Sequence, residues 1–355
     1  MVLLNVVQMV NSTNKALRFT LLNYTSTGRD INLDVQRIEG YRKFCNKLWN
    51  ATKFALMKLG DDFVPLPLSE FEKLEKSLPE EWILSRLNTT SKEINTLLQE
   101  MSFMAATNSV YSFWLYDLCD VYIEVSKYLI ESENTSKSAK NTLYICLEQG
   151  LKLLHPMMPF VTEELYQRLP KRHEVSDLSI STTRFPQFSE SWSFNSEYDF
   201  TMIIAIVASC RSLLVDYGVK GATIYVQVED KKLFELITSQ KLVIKNLVKG
   251  LSNIEVVGKE SDPAGCALSS VTKDCNVFLL VKGVVDFEIE IQKFTAKLTK
   301  AMDSKTALEQ KMGVSDYQVK VKLEVQKLNL EKISVLENEI ESLERTIENF
   351  KKLAI

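Results

Sequence analysis

The stretch Ile38-Glu-Gly-Tyr-Arg-Lys-Phe-Cys-Asn-Lys-Leu-Trp-Asn-Ala-Thr-Lys-Phe-Ala-Leu-Met-Lys-Leu59 decides the fold. Ile38, Tyr41, Cys45, Leu48, Ala55 and Leu59 recur at helical spacing, which predicts a long amphipathic helix with one face toward a core. Lys43, Lys47, Asn50, Phe54 and Lys58 are expected on the opposite side. Seven basic residues stand against three acidic ones between Arg29 and Lys58, a local balance of +4 in a chain whose net charge is −3. A basic face holding an amide and an aromatic suits RNA: lysines neutralise phosphates, an amide bonds a base edge, and a ring stacks a splayed base. The same pattern also fits a solvated helix whose Phe54 packs on a neighbour.

Outward from this helix, residues 35 to 168 keep helical periodicity. It is broken at Pro65, Pro67, Pro79, Asn134 to Ser138 and the Pro156/Pro159 pair, which predicts four or five bundled helices. A polar, aromatic-dotted stretch from about 170 to 195 reads as a connecting loop. After it, a helix is expected over 197 to 216, strands at Ile224 to Val228 and Asn253 to Val257, and a short helix near Leu233 to Thr238. Ala267 to Val271 and Asn276 to Val281 read as a hairpin, completing a small α/β unit.

The tail repeats in heptads. Phe287, Ile291, Phe294, Leu298, Ala301, Lys305, Leu308 and Met312 step by fours and threes, as do Ile333, Leu336, Ile340, Leu343, Ile347, Phe350 and Ala354. Between them Gly313 and the alternating Val319, Val321, Leu323 and Val325 predict a non-helical segment. An antiparallel coiled-coil hairpin is the economical arrangement, because either stripe alone would face water.

Catalytic chemistry finds little support. The two histidines, His155 and His173, are far apart in sequence, and the eleven glycines form no phosphate-binding loop. Glu163 and Glu164 read as solvated, His155 as a packed or turn-capping residue, and Trp49, Trp114, Tyr116 and Tyr122 as core aromatics. Six cysteines without a Cys-x-x-Cys pair suggest neither zinc nor disulfides, and the reducing cytosol is the expected compartment. The apolar opening Met1–Val10 has no basic flank and is too short to span a bilayer, so no membrane is expected as a partner.

Several runs resemble one family. Gly28-Arg-Asp-Ile-Asn-Leu-Asp34 followed by Phe44-Cys-Asn-Lys-Leu-Trp-Asn-Ala-Thr-Lys-Phe54 is similar to the start of the anticodon-binding helical domain of valyl-tRNA synthetases. Tyr111-Ser-Phe-Trp-Leu-Tyr-Asp-Leu-Cys-Asp-Val-Tyr-Ile-Glu124 and His155-Pro-Met-Met-Pro-Phe-Val-Thr-Glu-Glu-Leu-Tyr166 resemble later blocks of that domain. The last block is shared with isoleucyl and leucyl enzymes, whereas the first run and the terminal heptads favour the valyl family. The resemblance covers the chain from about Ala16 onward.

What the resemblance implies is a mainly α fold with four parts. Residues 1–34 are a divergent N-terminus and a remnant of the segment that follows the catalytic domain; 35–195 are a helical anticodon-binding bundle with linker. A small α/β unit follows over 196–284, and a coiled-coil tRNA-binding arm over 285–355. It implies valine tRNAs as partner, with other synthetases or translation factors as further candidates. The implied contacts are Lys43, Lys47, Asn50, Phe54 and Lys58 at the anticodon and Lys293, Lys297 and Lys300 on the arm. The family's His-x-Gly-His signature and Lys-Met-Ser-Lys-Ser loop have no match here, so its ATP and magnesium are not expected in this chain. The alternative is a non-catalytic coiled-coil interaction or regulatory protein derived from a synthetase.

Overall fold

The computed structural model describes residues 16–25, 35–172, 179–260, 263, 266–272, 274–281 and 287–313. Beyond them it describes helical positions 317, 326, 329–330, 332–334, 336–337, 340, 343–344, 347–348 and 351. Two compact units divide the chain, Met1–Met202 and Ile203–Ile355.

The first unit is a helix bundle. Its reference helix, α1, runs Val35–Leu59 and buries Phe44, Leu48, Ala51, Thr52, Ala55 and Leu59. α2, Leu78–Gln99, opens with Pro79 in its first turn, where the missing N–H costs nothing. The expected break at Pro79 is therefore a helix start. Glu80 closes a capping box on Ser77 and also accepts hydroxyl bonds from the buried Ser138 and Thr142.

α3, Phe103–Ser112, continues through a π-helical stretch, Phe113–Tyr122, into α4, Ile123–Glu131. Trp114 and Tyr122 are fully buried in this run, as expected. Tyr116 is 56% exposed, against expectation. Counted at roughly 100° per residue, Tyr116 falls about opposite the buried Trp114 and Leu118, so it points out of the bundle. α5, Glu133–Leu154, includes the segment 134–138 expected as a break; the chain leaves helical geometry only at Ser132. Gly150 sits against Trp114, whose indole donates to the Gly150 carbonyl at 3.0 Å. α6, Pro159–Arg168, follows the Pro156–Met158 turn.

The polar stretch after α6 carries two short 3-10 turns, Ile180–Thr182 and Glu190–Trp192. Asn88 and Asn95 of α2 clamp it through Ser189 and the Pro186 carbonyl. His173 lies outside the described residues.

α7, Glu197–Asp216, begins in the first unit, where Phe200 packs on Trp82. A helix within 190–216 is long and apolar enough to cross a membrane by composition. Phe200, Ile203, Ile206, Val207, Cys210 and Leu213 of this helix are buried.

In the second unit a four-stranded sheet has the order β2-β1-β4-β3, with β1 Ala222–Val228, β2 Leu251–Gly258, β3 Cys266–Thr272 and β4 Cys275–Leu280. β1 and β2 are parallel, joined by α8 (Lys231–Ser239) and α9 (Lys241–Leu247); β3 and β4 form the expected hairpin. Asp230 caps α8 by accepting from the Leu233 N–H. α9 is an addition to the sequence reading.

The tail helix α10 is Phe287–Met312. Ile291, Phe294, Leu298, Ala301, Lys305, Leu308 and Met312 are covered in whole or part, and the described positions between them are exposed. The second helix repeats the pattern: Ile333, Leu336, Ile340, Leu343 and Ile347 are covered while Lys332, Ser334, Glu337, Glu344 and Glu348 are exposed. Lys305 joins the two helices, 2.8 Å from Glu337 and 3.6 Å from Glu309. Helical positions at Tyr317, Gln326, Asn329 and Leu330 correct the non-helical segment expected there. The alternating Val319–Val325 run and the Phe350 and Ala354 heptad positions are outside the described residues.

Candidate nucleic-acid interface

The reference helix determines where each candidate points. At roughly 100° per residue, the buried arc of α1 is centred on Leu48 and Ala55, and Lys43, Lys47, Asn50, Phe54 and Lys58 line one shoulder of it. They are not directly opposite the core, as counted from the apolar stripe. The true buried arc includes Phe44 and Ala51 and is displaced toward them.

That displacement gives the shoulder partners. Lys47 donates to Asp120 of the π stretch at 2.9 Å, and Lys58 to Glu131 of α4 at 3.0 Å. The Asp120 hydrogen bond raises the Lys47 pKa above its ordinary value. Phe54 is half-buried with the Lys127 ammonium 5.3 Å above its ring, and Lys127 pairs in turn with Glu124 at 2.8 Å. Lys43 and Asn50 are exposed and, among the described residues, take part in no ion pair or side-chain hydrogen bond. The shoulder is thus less positive than its sequence implied, because Asp120 and Glu131 are brought in from distant positions while the Glu124 and Lys127 charges cancel. Exposed pairs of this kind contribute little, about 0.2–1 kcal/mol, so a phosphate can displace the carboxylates.

On the arm, Lys297 and Lys300 are exposed, Lys297 lying 5.1 Å over the Phe294 ring. The side chain of Lys293 lies outside the described residues. Lys305 is held by two glutamates between the tail helices.

The other chemical candidates have structural partners. His155 bonds Thr162 through Nδ1 at 2.7 Å and Ser181 through Nε2 at 3.1 Å, a turn-tying histidine whose burial lowers its pKa. Glu163 accepts from Ser179 and the Ile180 N–H, so it is tied to the linker and not merely solvated; Glu164 pairs with Arg168. No disulfide joins any of the six cysteines, and burial pushes Cys119 up to about 12. Among the described residues no group of three or more His, Cys, Asp or Glu side chains could hold a metal ion.

Residues 80–228 match the family described as the anticodon-binding domain of tRNA ligase. The class of protein that this match gives, over α2 to β1, is that of a tRNA-ligase anticodon-binding domain. The chain is 46% identical over 345 residues to the mitochondrial valine–tRNA ligase of Saccharomyces cerevisiae, covering 96% of this chain and 31% of that protein. It is 41% identical to the valine–tRNA ligases of Takifugu rubripes and Homo sapiens, covering 95% of this chain and 29% and 27% of theirs. The chain belongs to the valine–tRNA ligase family, as a C-terminal portion that spans less than a third of the length of these relatives.

Proposed function

We propose that this chain is the tRNA-gripping part of a valyl-tRNA synthetase, with the α1 shoulder as its anticodon reader. The exposed Asn50 beside the half-exposed Phe54 ring, flanked by Lys43 and Lys47, is the observation that carries it. Lysines there position the backbone, while the amide and ring address bases. Lys58 extends the row, and Lys297 and Lys300, with Lys293 on charge grounds, are the arm's candidates for the phosphate backbone. Valine tRNAs are the proposed ligand, other synthetases or translation factors are further partners, and the cytosol is the proposed compartment. The ATP and magnesium of the full-length family are assigned to no residue here, and valyl transfer belongs to the whole enzyme.

Filter binding of valine tRNA at increasing salt tests this. A falling affinity is expected, with a log–log slope of roughly −0.7 to −0.9 per phosphate neutralised; a flat response would leave the lysines as solubilising charges. Changing the last two anticodon bases should weaken binding to the wild type more than to Asn50→Ala. Pyrophosphate exchange into ATP with valine is expected to match the no-enzyme control.

A further inference from the structure

On the other shoulder of α1 a second site presents itself. Trp49, Thr52, Lys53 and Leu56 of α1 and Leu165 and Arg168 of α6 enclose a cavity of about 330 Å3, within the range of about 300–1,000 Å3 common for small-molecule sites. Three features give it a chemistry. Trp49, read from sequence as packing, is 39% exposed and carries the Arg168 guanidinium 4.8 Å from its ring centroid. Thr52 is 1% exposed, and its hydroxyl has no hydrogen-bond partner among the described residues. Lys53 is exposed at the rim. Arg168 commits Nε and Nη2 to Glu164, which leaves Nη1 available to a ligand.

A buried hydroxyl with no partner is unfavourable in the empty protein and becomes favourable when a ligand edge bonds it. An indole wall with aliphatic sides takes a flat ring, and two cations at the rim, one of them already paired, take an anion. A nucleobase joined to a phosphate supplies a flat ring, a polar edge and an anion in one molecule. Going around α1, the exposed Asn46, Asn50 and Met57 form the ridge between this slot and the basic shoulder. A single strand crossing that ridge reaches both.

We propose that the slot between α1 and α6 binds one unpaired nucleotide of the RNA held on the shoulder, with the base against Trp49, its edge on Thr52 and its phosphate at Lys53 and Arg168. This rests on the RNA-binding reading above and adds a second contact to it.

The test uses the full chain labelled with nitrogen-15, following the Trp49 indole resonance, identified by its loss in Trp49→Phe, during titration with the four nucleoside 5′-monophosphates. A saturable shift is expected. Thr52→Val keeps the shape and removes the unpartnered hydroxyl. It should weaken mononucleotide binding about three- to tenfold and tRNA binding by a similar factor without changing the salt slope, while the melting temperature holds or rises. Saturating tRNA should abolish the mononucleotide shift. No Trp49 shift, or Thr52→Val binding equal to the wild type, overturns the slot and leaves the shoulder reading standing. A shift that persists under saturating tRNA overturns the RNA occupant in favour of a free nucleotide. Wild-type chain that takes mononucleotides but no tRNA overturns the RNA occupant together with the broader reading.

Discussion

Lys47 and Asp120, 2.9 Å apart, illustrate how much a single residue's role depends on what folds beside it. The lysine is held by a carboxylate that any phosphate must replace. Asp120→Asn should therefore tighten tRNA binding, by about two- to fivefold at low salt, because one phosphate contact no longer competes with an internal anion. Lys43→Ala with Lys47→Ala should do the reverse, flattening the salt slope by roughly one to two units for every tRNA tested. Equal affinities of wild type and Asp120→Asn across a salt series would remove Lys47 from the interface. Phe54→Ala belongs with these, since Lys127 already covers one side of the ring. Loss of affinity with an unchanged salt slope and an unchanged melt is expected if a base uses the other side; an early melt with normal binding returns Phe54 to the bundle.

At the scale of elements, the bundle is closed by two contacts that tolerate little change. A Cβ placed on Gly150 would lie 3.1 Å from two atoms of the Trp114 ring and 3.2 Å from Phe113. Gly150→Ala should thus force α5 away from the π stretch and cost about 1–3 kcal/mol, read as a lower urea midpoint. Glu80 is fully buried and accepts from the backbone and hydroxyl of Ser77, its own helix cap, and from two hydroxyls, Ser138 and Thr142, that fasten α2 to α5. Truncation by Glu80→Ala strips the cap and leaves buried donors unpartnered, an expected loss of about 2–4 kcal/mol. A midpoint within error of the wild type would show that water reaches these hydroxyls.

The whole molecule should show one acid-sensitive step from His155. Burial lowers its folded pKa, Glu163 opposes this and Arg18 reinforces it. Folding therefore favours the neutral ring. The contribution is fully present above the unfolded histidine value, about 6.5, and is lost as pH falls through it toward the lower folded value. The melting temperature should drop between about pH 7 and 5.5, and His155→Gln should drop less over that window. Parallel curves would assign the acid sensitivity elsewhere.

Long periodic segments declared themselves in the sequence. The α1 stripe, the β3–β4 hairpin and the tail heptads follow from spacing, since period 3.6, 2 or 3.5 reports a buried face whatever covers it. The family, too, was legible in short runs such as Phe44–Phe54. Tertiary structure alone decided how the candidates are used. The π stretch Phe113–Tyr122 carries Asp120 to Lys47, a meeting of two distant segments with no mark in local sequence. Asp120, Glu131 and Lys127 meet α1 from about seventy residues away, and Arg168 reaches Trp49 from farther still. Charge balance and pocket walls come from such distant pairs, and periodicity along one segment carries no information about them.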